Sequence, residues 1–513
     1  MKPFTRAGQT PPGLLLLGGL VALVTLIPLV FVAVYSVLVG PQEAYRLIVR
    51  PRVGELFGNT LSLIALVLPL CAGIGTGAAW LVERTRVPGR RVWGVLLAAP
   101  LVVPAFINGF AWVSLTARVE GFPGAVMIVT LSYFPLVYLP VVGALRGIDP
   151  ALEESARALG YGPWRTLLRV VAPQLRPAIL GGMLLVGLHL LAEFGALQML
   201  RFPTFTTAIY DQFQSTFNGP AANVLAGVLV ACSLVLLVAE AGLAGRTRYA
   251  RLGMGVARPA TRARLGPLGT AGALAALVGL VVLALGVPLG SIALWLVTGS
   301  STTFAWDVLA STTLSTLGLG VAGAVLTTLM ALPVAWLSVR YRGAATLAVE
   351  RSTYIGHALP GIVVALALVT VTVRFLPPLY QTTPLLLVAY AILFIPLATV
   401  SIRASLLQAP PVLDEAARAL GSRPLEVMRR VTLPLIAPGV GVGAALVFLA
   451  IVTELTATLL LAPTGTDTLA TRFWSNAESI AYGASAPYAL VMVALSAPST
   501  YLLTRDIRRR VQR

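Results

Sequence analysis

Long apolar stretches separated by short polar loops run the length of the chain. A helix needs about 20 predominantly apolar residues to cross a hydrocarbon core about 30 Å thick. Twelve stretches meet that criterion, near 14–39, 57–81, 92–116, 124–145, 175–198 and 222–244, then 268–297, 312–338, 353–373, 384–406, 436–461 and 487–504. The first follows Lys2 and Arg6 but lacks a clear small-residue cleavage site, so it reads as a retained helix rather than a signal peptide. The pattern predicts an all-α, polytopic membrane protein with 12 transmembrane helices.

Composition sharpens this. Hydrophobic residues make up 57% of the 513, charged residues 11%, and mean hydropathy is +0.88, whereas soluble domains carry roughly 25% charged residues. Among 37 basic residues the only lysine is Lys2. A Walker A loop needs a lysine behind a glycine-rich run to reach the β- and γ-phosphates, so the chain is no P-loop ATPase by itself. Cys71 and Cys232 lie in apolar runs without metal-spaced partners and read as small buried hydrophobes. With the N-terminus in the cytoplasm, 30 of the 37 basic residues fall on inside segments, as the positive-inside rule favours. Both termini are then cytoplasmic. Arg246, Arg248, Arg251, Arg258, Arg262 and Arg264 form a basic cytoplasmic linker, so the net charge of +18 needs no nucleic-acid partner.

An internal repeat sets the organisation. Adding 261 to a first-half residue number reaches its counterpart: Pro135 to Pro396, Pro150 to Pro411, Arg157 to Arg418, Gly160 to Gly421, Pro173 to Pro434, Glu193 to Glu454. Each half holds six spans, so equivalent spans cross in the same direction and the repeat is parallel. The halves are 1–244 and 267–513, joined by the linker 245–266. The strongest match lies in the loops 150–177 and 411–438, which contain EESARALGYGPWRTLLRVVAPQLRP and DEAARALGSRPLEVMRRVTLPLIAP. Leu152, Ala156 and Leu159 recur at helical spacing as an apolar stripe, with Glu153, Glu154 and Arg157 off it. Gly160 suits a left-handed stop and Pro163 the first turn of a second short helix, which Pro173 is expected to close. Each loop is thus two short helices joined at a glycine elbow.

The pattern Glu-x-Ala-x-x-Leu-Gly with a proline-bracketed helix after it resembles the EAA loop of type I ABC importer permeases. The resemblance extends over nearly the whole chain, and it implies the type I permease fold. In that family the loop is the coupling helix seated on a cytoplasmic ABC ATPase subunit, of which two copies are implied here. It carries Glu154, Ala156 and Gly160, with Glu415, Ala417 and Gly421, onto ATPase coupling. The two loop glutamates either pair with the ATPase or brace their own helix through Arg157 and Arg418. A periplasmic or lipoprotein solute-binding protein is the implied outer partner. ATP hydrolysis belongs to the separate subunit, and no cofactor or covalent chemistry is expected of this chain in the inner membrane. The rival from another class is an ion-gradient-driven secondary transporter, which can share the parallel repeat. Its embedded ionisable groups would be only Glu193, Glu454, His189 and His357, and the duplicated elbow loop speaks against it.

The segments LLAEFGALQMLRFPTFTTAIYDQF (190–213) and TELTATLLLAPTGTDTLATRFW (453–474) resemble the ferric-iron branch of these permeases. Fusion of two halves fits that branch, and also thiamine permeases, the alternative solute class. Glu193 lies 18 residues beyond Leu175, or ~27 Å at the helical rise of ~1.5 Å per residue, placing it toward the outer mouth. Ionisable residues in spans are functional candidates because burying them is expensive. Glu193 and Glu454 are therefore either pore carboxylates for a hard cation or structural hydrogen-bonding groups, with His189 a possible partner of Glu193.

Overall fold

The computed structural model describes residues 11–214, 219–244, 262–299, 305–341, 343–357 and 359–509. Most of the basic linker, 245–261, lies outside them. Every one of the twelve predicted stretches is helical. Among the described residues nine helices are long and apolar enough to cross a membrane, ten if a bent pair counts as one span. Twelve spans were expected; of the three stretches outside the nine, 92–116 and 353–373 are broken, while 487–504 lies in the single helix Tyr482–Arg509.

Proline makes the first kind of break. The third stretch of the first half is two pieces, Arg90–Val102 and Ala105–Leu115, bent by 88°. Pro104 between them is in a polyproline conformation (φ −52°, ψ 144°), which cannot continue a helix. Pro360 repeats this (φ −59°, ψ 144°) ahead of Gly361–Phe375, leaving Ala344–His357 as the preceding piece.

Elsewhere a proline is absorbed. The expectation that Pro173 closes a short helix is wrong: helix runs on through a π turn at Leu167–Val171 to Ala192. Met428–Thr432 does the same ahead of Pro434, and Val282–Gly286 ahead of Pro288. In each, the residue just before the proline donates its N–H five residues back, to Leu167, Met428 or Val282. The widened turn gives the pyrrolidine ring room and tolerates the missing donor, so the helix survives.

The chain folds into two compact units: Met1–Ile48, Gln212–Val230 and Phe304–Ser475, and Val49–Asp211, Ala231–Thr303 and Asn476–Arg513. These do not follow chain order. In the former, Pro12–Leu38 packs along Trp306–Arg340 and Ala344–His357; in the latter, Val287–Thr298 packs on Ala105–Leu115 and Tyr482–Arg509. The opening span of each repeat thus joins spans of the other repeat.

Three long helices form the heart of each unit. Pro51–Arg84, Pro135–Gly147 and Ala172–Ala192 pack together in one, and Trp306–Arg340, Thr383–Gln408 and Leu433–Val452 in the other. One close crossing in each is equivalent under the repeat. A Cβ on Gly182 would come within 2.8 Å of the Val137 backbone, and one on Gly443 within 3.2 Å of the Ala398 backbone. Without water, apolar burial does not drive helices together, and such close backbone approach lets packing do so.

Candidate functional site

The two elbows are built alike. Helix Pro150–Ala158 ends with Gly160 at φ +84°, and Pro411–Ala419 ends with Gly421 at φ +89°. The N–H of Gly160 donates to the Arg157 carbonyl at 2.9 Å and that of Tyr161 to Ala156 at 3.0 Å; Gly421 to Arg418 and Ser422 to Ala417 repeat the pair at 2.9 and 3.1 Å. This is the Schellman pattern, in which a left-handed residue past the helix end satisfies its last carbonyls. Glycine is needed because a Cβ is penalised at positive φ.

The apolar stripe expected through Leu152, Ala156 and Leu159 is only partly realised. Ala156 is buried, but Leu159 is 79% exposed and its counterpart Leu420 87%. Both leucines are the residue at the helix end, with ψ near 7–8°, so their side chains leave the stripe. Glu154 and Glu415 are exposed. The acidic residue before each, expected off the stripe, is the buried one.

Glu153 and Asp414 each meet an arginine that ends the second span of its repeat. Arg84 Nη2 lies 3.0 Å from Glu153 Oε1 and donates to the Leu145 carbonyl at 3.2 Å; its side chain is 3% exposed. Arg340 Nη2 lies 3.4 Å from Asp414 Oδ2 and donates to the Ala409 carbonyl at 3.3 Å. The Thr432 hydroxyl also donates to Asp414 Oδ1 at 2.7 Å. Arg157 stands 3.9 Å from Glu153. Neighbouring pairs, Arg146 with Glu83 and Arg403 with Glu350, add to the ties at these helix ends. Sequence reasoning passed over these positions. The signal was present: Glu153 and Asp414 match under the repeat, and an arginine closes the second span of both halves.

The embedded glutamates sit where the fifth span breaks. Ala192 ends one helix, Glu193 is extended, and Gly195–Met199 begins the next. Glu193 Oε1 accepts the Ala196 N–H at 2.9 Å, and the Tyr133 hydroxyl donates to Oε2. His189 sends Nδ1 to the Leu185 carbonyl at 2.8 Å, and its ring centre lies 5.4 Å from that of Tyr133. In the other repeat Glu454 precedes helix Thr456–Leu461. Its Oε1 accepts the Ala457 N–H at 2.9 Å, and its Oε2 accepts the Thr458 N–H at 3.0 Å and hydroxyl at 2.8 Å. Tyr390 and Thr458 share a hydroxyl hydrogen bond of 2.8 Å. Each carboxylate thus satisfies the first amides of a helix that would otherwise start without partners. The side chain of His357 lies outside the described residues.

The segments after each break also match. The Thr204 N–H donates to Thr207 Oγ1 and the Thr468 N–H to Thr471 Oγ1, both at 2.9 Å. These threonines start Phe205–Gln214 and Leu469–Glu478, short helices between the fifth and sixth spans.

With this geometry in view, residues 70–249 and 328–512 each match the family described as the binding-protein-dependent transport system inner membrane component. Both elbows and both embedded glutamates fall inside the matched segments. The chain belongs to this family. It is also 38% identical over 499 residues to the Fe(3+)-transport system permease protein FbpB 2 of Haemophilus influenzae, covering 97% of this chain and 99% of that one. The sulfate transport system permease protein CysT of Escherichia coli is 30% identical over 240 residues, 42% of this chain and 86% of its own. The molybdenum transport system permease protein ModB of the same organism is 27% identical over 212 residues, 37% of this chain and 92% of its own. This permease is thus a multi-pass inner membrane component of an ABC importer. Its family works with a solute-binding protein and an ATPase, and ATP hydrolysis is not its own task.

Proposed function

We propose that the permease carries ferric iron inward, driven by two copies of a separate ATPase seated on the elbows. The observation that supports iron is the relative just described as an Fe(3+)-transport permease, which aligns over 97% of this chain, while the sulfate and molybdenum permeases each align over less than half. The chemistry agrees. Ferric ion is a small, hard cation that prefers oxygen donors, and each repeat places one carboxylate at the break in its fifth span. On this reading the chain is two six-span repeats, 1–244 and 267–513, joined by the basic linker 245–266. Uptake of labelled ferric ion, with thiamine as the control solute, tests the assignment in vesicles holding the complete complex. ATP-dependent thiamine uptake without iron uptake would overturn it.

Glu154, Ala156 and Gly160, with Glu415, Ala417 and Gly421, form the ATPase-coupling surface on this reading. The exposed glutamates and the bare leucines beside the glycine turns give it charge and an apolar tip. Gly160→Val and Gly421→Val place a β-branched residue at φ +84° and +89°. Strain of about 1–3 kcal/mol at such a position is expected to disorder the elbow without unfolding the spans. ATP-driven uptake should fall while the permease still inserts. Full uptake and normal complex assembly in both variants would refute the coupling role.

The proposed orientation has both termini in the cytoplasm. A cysteine introduced at exposed Ala158 should then react only with reagent added from the cytoplasmic side, and one at exposed Ser475 only from outside. Labelling of the Ser475→Cys variant from the cytoplasm would reverse the topology.

A further inference from the structure

We infer that the end of the inter-repeat linker, Arg262–Arg264, is a positioning element for the first coupling loop, an inference that rests on the coupling role proposed above. The Ala263 N–H donates to the Arg84 carbonyl at 2.9 Å, and the Arg86 N–H donates to the Ala263 carbonyl at 3.1 Å. Together they form an isolated parallel β-bridge between Thr85 and Ala263. Arg262 Nε adds a bond of 3.3 Å to the Glu83 carbonyl.

The accepting residues explain why a linker docks there. Glu83 and Arg84 close the helix Pro51–Arg84, and the last carbonyls of a helix have no donor within it. The linker supplies those donors from its backbone and from Arg262. The side chains of the same two residues reach the other way. Arg84 holds Glu153 of the coupling loop and the Leu145 carbonyl, and Glu83 pairs with Arg146 just before that loop. Residues 83–86 are therefore a joint, gripped through the backbone by the linker and gripping the loop through their side chains.

The second repeat has half of this joint. Arg340 holds Asp414 and the Ala409 carbonyl as Arg84 holds its partners. Among the described residues, no chain segment pairs with the backbone of Arg340 and Tyr341. Among the described residues the two loops, which match in sequence, are thus braced differently: the first through the linker, the second with the Thr432 hydroxyl on Asp414. Movement of the ATPase against the first loop is carried into the helix Pro51–Arg84 and the linker together.

The test uses the full chain, assembled with its ATPase and binding protein in nanodiscs, with Cys71 and Cys232 replaced by alanine. Spin labels are placed on Ala158→Cys in the first loop and Ala419→Cys in the second. Ala263→Pro deletes the N–H that donates to Arg84. It should raise label mobility at 158 and leave 419 unchanged. It should also lower the stimulation of ATPase activity by loaded binding protein by about threefold, the scale of one backbone hydrogen bond, with basal ATPase activity and complex yield unchanged. A protease site cut after Met254 leaves the bridge intact and should change neither reading. Should Ala263→Pro reduce yield, Arg262→Ala serves instead, removing only the bond to Glu83, with a smaller shift confined to 158. Unchanged mobility at 158, equal changes at 158 and 419, or linker cleavage reproducing the proline effect would each overturn the inference. If Gly160→Val and Gly421→Val uncouple transport while Ala263→Pro does nothing, only this inference fails. If the glycine variants also leave coupling intact, the coupling role itself fails.

Discussion

Arg84→Ala is expected to be the most destabilising single substitution at the cytoplasmic ends of the spans, by about 3–5 kcal/mol. Arg84 and Glu153 are 3% and 10% exposed at the side chain, so removing the guanidinium leaves a buried carboxylate whose remaining ion pair among the described residues is Arg157 at 3.9 Å. Arg340→Ala should cost less, because Asp414 keeps the hydroxyl of Thr432 at 2.7 Å. Replacing both partners, as Arg84→Met with Glu153→Leu, should recover most of the stability, since a buried pair contributes little net relative to apolar groups of similar size. Thermal unfolding of the purified permease in detergent gives the ranking. A midpoint for Arg84→Ala no lower than that of an exposed control such as Arg165→Ala would show that the pair is not what holds the loop.

The second large effect concerns the embedded glutamates, where the two repeats are predicted to respond differently to the same change. In Glu193→Gln the amide oxygen can still accept the Ala196 N–H, and the Tyr133 hydroxyl can turn from donor to acceptor toward the new NH2 group. The fold should survive, so any change in transport reports the charge. Ferric uptake is expected to fall by about tenfold, equivalent to about 1.4 kcal/mol in the barrier, with assembly unchanged. Glu454→Gln has no such escape. Its two oxygens accept three donors, from Ala457 and Thr458, and an amide can satisfy only one side of that arrangement. Leaving a buried N–H without a partner costs about 1–3 kcal/mol, so this variant should lose stability as well as uptake. Normal iron uptake by the double variant, at normal expression, would confine both residues to capping.

Much of this was written locally in the chain. Runs of about 20 apolar residues mark spans whatever their neighbours do, because the bilayer alone sets the length required. The elbows were equally legible, since the left-handed turns at Gly160 and Gly421 are properties of a few consecutive residues, and the repeat displays them twice. The family followed from that duplication. Proline was legible only as a warning: the same residue broke the helix at Pro104 and was absorbed in a π turn ahead of Pro173.

Other features depended on groups distant in sequence. The family resemblance marked Glu154 as the loop carboxylate, yet Glu153 is the buried one, because Arg84, 69 positions earlier, comes to lie beside it. A helical pattern says which residues share a face but not which face meets a counter-charge. Tyr133 as the partner of Glu193, and Arg262 and Ala263 as donors to the end of the second span, are of the same kind. The grouping of Pro12–Leu38 with second-repeat helices was equally unreadable, since an apolar helix surrounded by lipid carries no preference in its sequence pattern for one apolar neighbour over another. Local chemistry settled what each segment is; only the assembled fold settled what each segment touches, because unpaired charges and open carbonyls find their partners by proximity in space rather than along the chain.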